Sequence, residues 1–119
     1  MADRWHLLHN LALTLAQLAD HGPTSRARLA AVTGLTKATV SSLVDTLVAG
    51  GLVAELGPSA SPRVGRPGSR VALAESGPVG IGLEINVDGL AAVVVDLTGE
   101  VRWRRTRPGD QRDRSAAAV

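Results

Sequence analysis

The stretch Ser25 to Gly51, SRARLAAVTGLTKATVSSLVDTLVAGG, decides the fold. Ser25 is a helix N-cap residue, and a short helix is expected over Arg26 to Thr33, with Leu29, Ala30 and Val32 as its apolar positions. Gly34-Leu35 makes a tight turn, in which Gly34 supplies a backbone conformation that a side chain resists. Thr36 caps a further helix from Lys37 to about Ala49, and Val40, Leu43, Val44 and Leu47 give it one apolar face. Gly50-Gly51 stops it. The small Ala30 lets the two helices approach closely, and Leu29, Leu35, Val40 and Leu43 are placed to lock them against a helix earlier in the chain. Together these features make a helix-turn-helix. The bland alternative is an αα-corner in an unrelated bundle.

The flanks supply the remaining parts. Residues 4 to 20 read as an amphipathic helix through Leu7, Leu8, Leu11, Leu15 and Leu18, ended by His21-Gly22-Pro23. After Gly51 the period changes from helical to extended. Leu52 to Leu56 and Arg70 to Leu73 are two short strands, and the Gly, Pro and Ser-rich residues 57 to 69 between them complete a hairpin. A second β block follows the punctuation Glu75-Ser76-Gly77-Pro78: Val79 to Asn86, Gly89 to Asp96 and Gly99 to Arg104, with turns at Val87-Asp88-Gly89 and Thr98-Gly99. The expected class is α+β: a winged helix-turn-helix over residues 1–75, then a short β-meander in 76–119.

Composition narrows the function. The 119 residues include no cysteine, which excludes a disulfide scaffold, a Cys-based zinc finger and a thiol nucleophile. His6, His9 and His21 stand in no metal-ligand pattern, so no metal and no cofactor is expected. No apolar run is long enough to cross a membrane and no signal peptide opens the chain, which points to the cytoplasm. With only two aromatic residues, Trp5 and Trp103, stacking platforms for single strands are missing, and the core must come from Leu, Val, Ile and Ala. The net charge of +2 is mildly basic, with 12 of the 13 cations Arg, which permits contact with nucleic acid.

Counting 100° per residue along the second helix of the motif, Ala38, Ser42 and Asp45 point away from the core, flanked by Thr39, Ser41 and Thr46, with Lys37 at the N-terminal edge. Short hydroxyl side chains let a helix enter the major groove and exchange hydrogen bonds with base edges, and Ala38 fits a thymine methyl. Thr39, Ser42 and Ala38 are therefore the expected base readers, with Thr36 and Ser41 beside them. Asp45 is discordant, because a carboxylate repels phosphate; it lies beyond the groove or accepts from a cytosine amine. Lys37, Arg26 and Arg28 are expected on phosphates. The hairpin carries Arg63, Arg66 and Arg70, and in Gly65-Arg66-Pro67 the flanking residues suit an arginine inserted into a narrow minor groove. Against this stands the plain reading of a solvated helix face and a solvated basic loop.

The runs Gly22 to Ala30, Thr33 to Ser41, Gly51-Leu52-Val53 and Gly65-Arg66-Pro67 resemble the ROK family of bacterial transcriptional regulators, sugar-responsive repressors that share ancestry with sugar kinases. The resemblance covers nearly all of residues 4 to 104 and is most specific in the first 75. It implies a winged helix-turn-helix repressor acting on double-stranded operator DNA near carbohydrate genes. Gly80 to Asn86 and Val93 to Val101 resemble the first two strands of the family's actin-like sugar-kinase fold. Where the kinases carry a phosphate-handling Asp and Gly-Gly-Thr, this chain has Glu84, Asn86, Val87 and Asp88, which implies a non-enzyme. The family's sugar site, its Cys/His zinc site and its dimer surface lie in a two-lobed domain that mostly falls outside these residues. The chain accordingly reads as truncated, with its sugar effector site absent and the homodimer a property of the full-length member. Two rival functions remain: a winged-helix module that binds protein rather than DNA, and a sugar-kinase remnant.

Overall fold

The computed structural model describes residues 2–58, 69–112, 115 and 117. The elements in order are α1 (Ala2–His21), β1 (Thr24–Ser25), α2 (Arg26–Thr33), α3 (Lys37–Ala49), β2 (Val53–Pro58), β3 (Ser69–Leu73), β4 (Val79–Asn86), β5 (Gly89–Asp96) and β6 (Val101–Pro108). They form two compact units, Met1–Gly77 and Pro78–Val119.

In the first unit the caps read from the sequence fix both helices of the motif. The Ser25 hydroxyl accepts from Arg28 N at 3.1 Å, and the Thr36 hydroxyl accepts from Thr39 N at 3.1 Å, each satisfying an amide that the first helical turn leaves open. Gly34 closes α2 at φ 74°, in the left-handed region, and donates its N–H to the Ala30 carbonyl. The helices pack with the sheet around Leu18, Leu29, Ala30, Val40, Val44, Leu47, Val53 and Val71. Leu43 is buried as well. The expected hairpin is the antiparallel pair β2–β3, with Val53 opposite Leu73 and an irregularity between Leu56 and Pro58.

Several features differ from the expectation. Val32, read as an apolar position of α2, is exposed, and β2 runs over Val53–Pro58 rather than Leu52 to Leu56. Thr24–Ser25 add a third strand, pairing antiparallel with β3 so that Ser25 faces Arg70. Two residues before a helix cap carry no periodicity, so only the partner strand reveals them. Helix α1 begins at Ala2, but its apolar stripe is buried only from Leu11 onward; Leu7 and Leu8 are 48% and 53% exposed. Periodicity gives the direction of a face and not how far along the helix its partners reach.

The second unit is an antiparallel meander in the order β4-β5-β6. Its last strand is Val101–Pro108 rather than Gly99–Arg104. The cause is Asp96, whose carboxylate accepts from Thr98 N at 2.8 Å, Thr98 Oγ1 at 2.6 Å and Glu100 N at 3.1 Å, and pairs with the Arg102 guanidinium. These bonds hold residues 97–100 in a turn, with Gly99 at φ 87°, and pairing resumes at Val101. One face of the meander presents Val79, Ile81, Leu83, Ile85 and Trp103, all exposed among the described residues.

The hydrogen bond from the Thr98 hydroxyl lowers the Asp96 pKa; burial opposes it, and the amides of Glu100 and Thr98 with Arg102 add to the lowering, so the net shift is downward. A carboxyl depressed in the folded state stabilises it fully above its unfolded value of about 3.9, and that contribution is lost as pH falls through the lower folded value. Trp103 emission, followed during thermal melting in a Trp5→Phe background, is expected to show the meander losing stability below about pH 4. Asp96→Asn should lower its melting temperature at neutral pH and flatten that acid limb. An unchanged acid limb in Asp96→Asn would remove this carboxylate as the cause.

Candidate nucleic-acid interface

Helix α3 has 13 residues and buries Val40, Leu43, Val44 and Leu47. Its opposite side is open: Lys37, Ala38, Ser42, Asp45, Thr46 and Ala49 are exposed, and Thr39 and Ser41 are half-buried at the margins. The side chains near its N-terminal end are short, apart from Lys37 at the edge. Thr36 Oγ1 and Thr39 Oγ1 lie 2.8 Å apart, one donating to the other, so these two hydroxyls form one hydrogen-bonding unit rather than two free ones. The Thr46 hydroxyl turns back to the Ser42 carbonyl at 2.9 Å, whereas no such bond engages the Ser42 hydroxyl among the described residues.

The cations differ in their partners. Arg28 is exposed on α2 one turn after Ser25. Arg70, the second residue of β3, lies opposite Ser25 with its guanidinium 3.5 Å from the Pro23 carbonyl, so β1 brings it to the start of α2. Arg26 behaves differently: its guanidinium pairs with Asp45 at 2.9 Å and with Glu55 at 2.5 Å. Partial burial alone would lower the Arg26 pKa, but the hydrogen bonds it donates to Glu55 and Asp45 outweigh it and raise the value. Arg63 and Arg66 lie outside the described residues.

Arg26 and Asp45, read separately from the sequence, pair with each other. The Asp45 carboxylate, discordant on this face when read from the sequence, is held by Arg26. Arg26, expected on phosphate, is engaged by two carboxylates of its own chain, and its Nε is buried without a partner. Spacing could not reveal this trio, whose members sit on α2, α3 and β2. The available signal was Asp45 itself: an acid on a face otherwise suited to phosphate needs a cation nearby.

Three helices, a glycine turn and a sheet hairpin in this order define a winged helix-turn-helix. The profile of the MarR family matches residues 5–66, and the chain belongs to that family. It is 38% identical over 92 residues to a xylose repressor of Bacillus spizizenii, covering 77% of this chain and 24% of the repressor. It is 37% identical over 98 residues to a putative xylose repressor of Caldicellulosiruptor sp., covering 81% and 24%. The chain thus spans about a quarter of the length of these relatives. Among solved structures, a ROK family transcriptional regulator, a homologue of the Escherichia coli MLC protein, shares the fold at a TM-score of 0.61. That match has 20% identity and covers 83% of this chain and 25% of the other. The fold expected from the ROK resemblance is therefore the fold observed. No described helix is long and apolar enough to cross a membrane.

Proposed function

We propose that the chain is the DNA-binding part of a ROK-type transcriptional repressor of carbohydrate genes, with xylose genes the first to test, and that it is not an enzyme and acts in the cytoplasm. The observation that carries this reading is the exposed face of α3, which presents Ala38 and Ser42 behind a Thr36 cap and beside a β2–β3 wing. That is the shape a recognition helix needs to enter a major groove. The names of the xylose repressors that resemble the chain support it.

In this reading Ala38, Ser42 and the Thr36–Thr39 hydroxyl pair face base edges, with Ser41 at the margin. Lys37, Arg28 and Arg70 take phosphates. Arg63 and Arg66 follow the adjacent backbone or minor groove. Residues 1–75 carry DNA recognition, and 76–119 open the effector domain. A second copy on a neighbouring half-site completes the operator.

The test is fluorescence anisotropy with DNA from the gene's own upstream region and with random DNA of equal length, across a salt series. Tighter binding to the upstream DNA, weakening with salt, is expected. Absence of binding at low salt by the folded chain would move the function to a protein-binding winged helix.

A further inference from the structure

Arg26, read from the sequence as a phosphate contact, is paired with two carboxylates, Asp45 and Glu55. Arg26 is the first residue of α2, Asp45 lies in the third turn of α3, and Glu55 is in the middle of β2, opposite Val71. One guanidinium therefore ties the start of α2 to the recognition helix and to the first wing strand. Its side chain is 26% exposed, against 67% for Asp45 and 49% for Glu55, so the cation is the enclosed member and the acids are its rim. A planar fork with several donors can hold two carboxylates at once, which a lysine ammonium does with far less directional control. The core beneath is apolar and fixes the elements in contact, but apolar contacts set angles weakly compared with directed hydrogen bonds.

We infer that Arg26 is a positioning residue that sets the angle between α3 and the β2–β3 wing, so that helix and wing meet one duplex together. This rests on the DNA-binding reading above and deepens it. It also explains Asp45: the carboxylate on the reading face is the anchor of the clamp, and the bound guanidinium offsets the charge that would otherwise repel phosphate. Arg26 itself touches no DNA.

The two roles predict opposite signs for one substitution. If Arg26 bound phosphate, Glu55→Gln would free it and tighten DNA binding. As a clamp, Glu55→Gln loosens the wing and weakens binding, by about three- to tenfold, the scale of one hydrogen-bonded ion pair. Arg26→Gln should weaken binding to the same degree while leaving the slope of log affinity against log salt unchanged, whereas loss of a phosphate contact lowers that slope by about 0.9. Arg26→Lys should restore only part of the loss.

A second readout needs no DNA. In Arg26→Gln, amide hydrogen exchange should quicken along β2 and at Asp45 while the buried turns of α1 keep their protection. Tighter binding by Glu55→Gln, a shallower salt slope for Arg26→Gln, or unchanged exchange along β2 would each overturn the clamp. If the unaltered chain fails to bind DNA, the DNA reading falls, and the exchange result alone decides whether Arg26 holds the wing.

Discussion

Leu29→Ala is expected to destabilise the helical unit by about 3 kcal/mol, within the 2–5 kcal/mol typical of a buried leucine cut to alanine. Leu29 is fully buried, and it shares a cluster with Leu18 of α1, Val40 and Val44 of α3 and Val71 of β3. It therefore sits where all three helices and the wing sheet meet. Shortening it removes apolar contact from each of them and leaves a void that no single element can close by moving alone. With domain stabilities of only about 5–15 kcal/mol, that loss should lower the melting temperature by roughly 10–20 °C. Circular dichroism melts read the change directly. Val32→Ala on the same helix is the control, because Val32 is 42% exposed and its loss should stay within about 0.5 kcal/mol. Similar melting of the two variants would mean that Leu29 is not the side chain through which α2 holds the core together.

The parts of this unit that were legible in the sequence are those set by local chemistry. Ser25, Gly34 and Thr36 determine where α2 and α3 begin and end, because capping and left-handed turns involve residues only a few positions apart. The bounds of β4 follow from alternation, and those of β5 from a continuous apolar run between the turn after Asn86 and Asp96, for the same reason. Long-range relations were not legible. The pairing of Ser25 with Arg70 and the bridge from Arg26 to Glu55 join residues far apart in the chain, and one sequence carries no sign of such pairs. The exposure of Leu7 and Leu8 belongs with these, since it depends on where the rest of the fold ends. The shifted start of β6 is an intermediate case. Asp-Leu-Thr-Gly-Glu reads as a turn, but only the inward carboxylate of Asp96 shows that it consumes residues up to Glu100. For the candidate interface the consequence is direct: residues on the α3 face could be named from periodicity, whereas the role of Arg26 required the structure.

Ala38→Glu is expected to reduce DNA affinity on the order of a hundredfold, because a like charge forced into a charged interface costs several kcal/mol. Ala38 is exposed in the first turn of α3, two residues after the Thr36 cap. An acid there meets the positive end of the helix dipole, so the substitution should leave the fold unchanged or slightly more stable. This separates the site from the scaffold, since lost binding with unchanged melting cannot be blamed on unfolding. Ala49→Glu lies on the same exposed face at the far end of the helix and should cost much less if the N-terminal turns are those inserted in the groove. Equal losses at both positions would describe a helix lying flat along the backbone and held by charge alone. Binding retained by Ala38→Glu would remove α3 as the reading element, leaving this face free to dock a protein partner and the wing to account for whatever DNA affinity the chain has.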